Sequence, residues 1–69
     1  MDISDFLALS PTERLNFAPI LAKYNHCGTI AFENLIRIIN RRGFGSLSFY
    51  FKMGFLLNLA NVPNSELHK

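Results

Sequence analysis

Apolar residues recur three and four apart in two stretches of the chain and crowd together in a third. Over residues 11–24, Leu15, Phe17, Ala18, Ile20, Leu21, Ala22 and Tyr24 keep helical spacing. Over residues 30–42, Phe32, Leu35, Ile36 and Ile39 form one stripe, widened by Ile38. Such spacing places apolar side chains on one face of a 3.6-residue helix. The isoleucines of residues 35–39 admit a strand, but helix-ending signals on both sides favour helix.

The signals between these stretches set the element boundaries. Asp2 or Ser4 can cap a short helix over residues 3–9, with Ile3, Phe6, Leu7 and Leu9 apolar. Ser10-Pro11-Thr12-Glu13 reads as a capping box with proline at the first helical position. Pro19 removes one hydrogen bond to Leu15 and crowds that carbonyl, which predicts over 11–24 either a kinked helix or one divided into 11–18 and 19–24, the kinked continuous form being favoured. Gly28 suits a left-handed helix end, and Thr29 caps the helix over 30–42. Arg41 and Arg42 complement the negative end of that helix before Gly43 stops it. Ser46 then caps a last helix over 47–60, ended by Asn61-Val62-Pro63-Asn64. The expectation is an all-α bundle of three to four short helices forming a single domain over residues 1–62. A polar tail follows over 63–69, of which residues 65–69 are expected to fray.

The third stretch changes the picture. Between residues 47 and 60 only Ser48, Lys52, Gly54 and Asn58 interrupt an otherwise apolar run. A helix apolar nearly all round requires burial nearly all round, and two or three short helices cannot enclose it. Phe51, Gly54, Phe55, Leu56 and Leu59 are the candidates for its core or dimer-facing side. Gly54 costs about 1 kcal/mol relative to Ala inside a helix, which simple tolerance or a close approach by another helix would explain. Residues 44–62 come near membrane-spanning length, although Lys52 at the centre argues against insertion.

Composition points the same way. Hydrophobic residues make up 49% of the 69-residue chain and charged ones 17%, below the roughly 25% charged that is usual in soluble domains. A domain this small buries only about 60% of what its unfolded chain exposes, so the apolar excess predicts self-association, most simply a homodimer. The single Cys27 excludes an internal disulfide framework. The acidic start, Asp2 and Asp5, lacks the basic region of a secretory signal, and a cytoplasmic location is the natural expectation.

The remaining candidates concern partners rather than catalysis. Arg37, Arg41 and Arg42 cluster at the end of one helix, and Phe44, Phe49, Tyr50 and Met53 follow. Aromatics, Met and Arg are the residue types enriched at interface centres, so these seven form the predicted surface for a protein partner of unstated identity. The rival reading is a helix-turn-helix in which Arg37 and Arg41 reach DNA, with Lys23 or Lys52 extending the patch. A membrane-associated peptide is a third. His26-Cys27 has no neighbouring carboxylate to orient the imidazole, and His26, Cys27 and His68 fall short of the four ligands of a structural zinc site. Gly43 and Gly45 belong to no phosphate-binding fingerprint. No cofactor, metal or enzymatic activity is expected. Size and type suit a small regulator or inhibitor that occupies another protein's surface, of the kind carried by phages and mobile elements.

Overall fold

Local capping chemistry sets where most of the helices begin. The computed structural model describes residues 1–68; the side chain of His68, weighed above as a metal ligand, and Lys69 lie outside the described residues. The carboxylate of Asp2 accepts from the Asp5 N–H at 3.0 Å and opens α1, Ile3–Leu7. The Ser10 hydroxyl accepts from the Glu13 N–H while Glu13 Oε1 accepts from the Ser10 N–H, both at 3.2 Å, completing the capping box of α2, Pro11–Asn16. α3 spans Ala18–Asn25 and α4 Thr29–Arg42. A 3-10 turn, Phe44–Ser46, leads to α5, Phe49–Ala60, and a second 3-10 turn covers Asn64–His68. The described residues contain no strand.

Several boundaries differ from the sequence reading. The expected kinked helix over 11–24 is broken at Phe17, two residues ahead of Pro19. Phe17 keeps right-handed angles but bonds back three residues, to the Arg14 carbonyl at 3.1 Å. Pro19 has no N–H for the Leu15 carbonyl, so the helix tightens and restarts with proline in its first turn. The left-handed residue after α3 is His26, at φ 53 and ψ 44, whereas Gly28 is extended. Histidine is among the non-glycine residues that tolerate this region. Thr29 opens α4 instead of capping it, and Gly28 holds the cap position.

Gly43 ends α4 as expected. At φ 87 and ψ 154 it occupies a backbone region open essentially to glycine alone. Ser46, expected to cap the last helix, donates its hydroxyl to the Gly43 carbonyl at 2.7 Å. Ser48 caps instead, accepting from the Phe51 N–H, so Leu47 lies before α5 and packs on the core.

The core joins every helix. Phe6 of α1 meets the rings of Phe17 and Phe55 edge to face, with centroids 6.0 and 5.2 Å apart. Leu21, Phe32, Ile36, Ile39, Leu59 and Val62 fill the remaining space. α4 lies against α3 and α2, while α5 rests chiefly on α3, so α4 and α5 meet only sparsely. Asn25 fastens α5 to α3: its amide donates to the Asn58 carbonyl at 2.9 Å and its oxygen accepts from Asn61 at 2.8 Å, while the same amide also bonds the Leu21 carbonyl within α3 at 2.9 Å. The segment expected to fray instead docks through Glu66, which is buried and accepts from the Tyr24 hydroxyl at 2.6 Å.

Candidate functional site: an apolar groove with a basic end

Because α4 and α5 lean on α3 rather than on each other, an apolar groove of about 410 Å³ opens between them. Ala31, Leu35 and Ile38 supply the α4 wall and Phe51 and Asn58 the α5 wall, with Cys27 at one end. Asn25, shortly before α4, bonds the Asn58 carbonyl late in α5, so the start of α4 lies near the end of α5. Periodicity explains the walls. Ala31, Leu35 and Ile38 fall three and four apart on the flank of the α4 stripe, where the widening at Ile38 leaves apolar side chains only partly covered.

A second depression of about 390 Å³ lies on α4, lined by Asn34, Arg37, Ile38, Arg41 and Arg42. Asn34 and Ile38 line both spaces, so the basic depression borders the groove. Arg37 lies 3.8 Å from Glu33, a solvent-exposed pair one helical turn apart, and such pairs contribute little. Among the described residues Arg41 and Arg42 make no ion pair, and both are exposed.

The predicted surface residues divide. Phe49, Tyr50 and Met53 are exposed on α5, as is Phe51, which sequence had assigned to the core or dimer side. Phe44 is half-buried, its ring 6.0 Å from that of Phe55, and so belongs to the margin of the core. Phe55 and Leu59 are fully buried and Leu56 is half-buried. Apart from its chain neighbours and its own helix backbone, no heavy atom among the described residues lies within 4 Å of where a Cβ on Gly54 would sit, so no other described helix makes the close approach considered for it. Sequence reasoning missed Ala31, Asn34, Leu35, Ile38, Cys27 and Asn58 as groove residues. The widening at Ile38 was the available signal, but the splaying of α4 from α5 is a tertiary property.

Other chemistry has a narrower basis. His26 and Cys27 are exposed, and no group of three or more His, Cys, Asp or Glu among the described residues is placed to hold a metal ion. Lys23 holds its ammonium 5.3 Å from the Tyr24 ring centroid on α3. The outward positions of α5 carry aromatic and aliphatic residues rather than the Arg, Asn and Gln that read base edges. No helix among the described residues is long and apolar enough to cross a membrane; twelve residues of α5 rise about 18 Å against the roughly 30 Å of a hydrocarbon core. No family model, curated protein or solved structure matches the chain.

Proposed function

We propose that this chain is a non-enzymatic interaction protein, regulatory or inhibitory in effect. It acts as a homodimer and docks a protein partner in the groove between α4 and α5. The observation that carries the reading is the adjacency of the apolar groove to the Arg37, Arg41 and Arg42 depression, with Asn34 and Ile38 lining both. An amphipathic segment of the partner fits such a site when its apolar ridge lies between Leu35 and Phe51 and its acidic end meets the arginines. The apolar contact supplies affinity; the arginines supply orientation and association rate.

Affinity capture from the native host tests it, comparing wild type with Ile38→Asp and with the double variant Arg41→Glu, Arg42→Glu. One protein captured by wild type should be lost from the first variant and weakened about tenfold in the second. Equal capture by all three removes the groove from the reading. The exposed arginines of α4 also favour a second reading, DNA binding, which requires duplex affinity at low salt that falls steeply as salt rises.

A further inference from the structure

We propose that the outer face of α5 is covered by a second copy of this chain. The inference rests on the reading of the protein as a self-associating interaction module and identifies the surface involved. Tyr50, Met53 and Leu57, three and four residues apart, form one line along the helix and are 86%, 44% and 67% exposed. Phe49 and Phe51, at 72% and 63%, flank it.

Loose folding does not explain this exposure. The chain's accessible surface is 4444 Å², and a globular monomer of its 7.9 kDa has about 4400 Å². The protein has therefore buried a normal share of its surface while leaving five large apolar side chains of one helix outside. At the 150–250 Å² that an aromatic side chain can bury, these residues present roughly 500–800 Å². The largest apolar patch of an ordinary monomer is about 300–600 Å², and each partner in a stable interface covers about 800 Å². The face is thus larger than a monomer normally leaves open and near the size a dimer requires.

Charge selects the occupant. The five residues include no Asp, Glu, Lys, Arg or His, so a two-fold axis through the face brings no like charges together, and each aromatic ring meets apolar surface. A lipid-binding helix carries a basic rim beside its apolar face; the one basic residue of α5, Lys52, is half-buried, and Arg37, Arg41 and Arg42 stand on α4. Gly54 borders the line of Tyr50, Met53 and Leu57, with open space where a Cβ would be, so the backbone of the second α5 can approach there. Phe51 also walls the α4–α5 groove, so that ring stands at the border between the pairing face and the groove.

Sedimentation velocity on the full chain between 1 and 100 µM tests the proposal, beside Tyr50→Glu, Leu57→Glu and the control Ile30→Glu, which changes an exposed residue of α4. Wild type and control should sediment at twice 7.9 kDa, whereas either α5 variant should remain monomeric at 100 µM with unchanged helical circular dichroism. Concentration dependence of the wild-type thermal midpoint provides a second readout that no variant's folding can confound. A monomeric wild type overturns the proposal, and so does a dimer that survives both α5 variants. Co-sedimentation of monomeric wild type with phosphatidylcholine–phosphatidylglycerol vesicles would assign the face to lipid and overturn it too. None of these results decides partner capture by the groove, which Ile38→Asp tests separately.

Discussion

α4 and α5 are regular helices of 14 and 12 residues, joined by one short turn, and they distribute polarity in opposite ways. α4 buries Phe32, Ile36 and Ile39 and turns Glu33, Arg37 and Arg41 away from the core. α5 buries Phe55 and Leu59 and turns Phe49, Tyr50, Met53 and Leu57 outward. Docking a helix on a core needs one apolar face only. On α4 the face opposite the core carries Glu33, Arg37 and Arg41, and its exposed apolar residues, Ile30 and Ile38, stand apart rather than in a continuous line. On α5 the opposite face is apolar, and nothing in the folded chain accounts for it.

The largest test of this difference compares the two faces of α5. Phe55→Ala removes a ring that touches Phe6 and Phe44 and should cost about 3–5 kcal/mol in urea unfolding. Leu57→Ala, measured where the chain is monomeric, should stay within about 0.5 kcal/mol. Equal losses would mean that the outer face serves the monomer's own stability, and the contrast with α4 would fail.

An intermediate effect separates the ways the two helices are fastened. Asn25→Ala removes two bonds that tie α5 to α3, one donated to Asn58 and one accepted from Asn61, along with one donated to Leu21 within α3, and should cost about 1–3 kcal/mol. Asn40 holds α4 to the Pro11 carbonyl by one bond of 2.9 Å, and its own oxygen is buried without a partner. Asn40→Ala discards that oxygen along with the bond and should cost no more than about 1 kcal/mol. The reverse order would show α4, not α5, to be the more dependent on polar fastening.

The smallest effect is a pH dependence confined to the α2 side. Hydrogen bonding from Ser10, through its backbone N–H first and its hydroxyl second, holds the Glu13 carboxyl below its ordinary value of 4.5. A carboxylate with a lowered folded-state pKa contributes stability above the unfolded value, and this is lost as pH falls through the folded one. Wild type should therefore lose slightly more stability than Glu13→Gln as pH drops below 4.5, read as the urea midpoint. Identical profiles would remove the capping box as the cause.

Much of this fold was legible because its signals are local. Ser10, Pro11 and Glu13 interact within one turn, and the Arg41-Arg42-Gly43 stop needs no tertiary context. The misplaced boundaries depend on packing. Ser46 and Ser48 are equally good caps in isolation, and Leu47, settling on the core between them, gives the role to the second. Gly28 was the better left-handed residue by propensity, but the chain turns earlier, at His26, directly after Asn25 has fastened α3 to α5. The docking of Glu66 against Tyr24 links residues 42 apart, beyond the reach of any periodicity. The exposed aromatics of α5 could be anticipated from its near-uniform apolarity; which side faced out, and the groove beside α4, could not.

The dependence of α5 on α3 also bears on synthesis. Residues 49–60 are made after α3 and α4, and chains begin to fold from their earlier parts while synthesis continues. The receiving surface at Leu21 and Asn25 can therefore be in place before the most adhesive segment of the protein leaves the ribosome. Moving this helix to the front of the chain by circular permutation would reverse that order and expose its apolar side chains in the nascent chain before α3 exists to receive them.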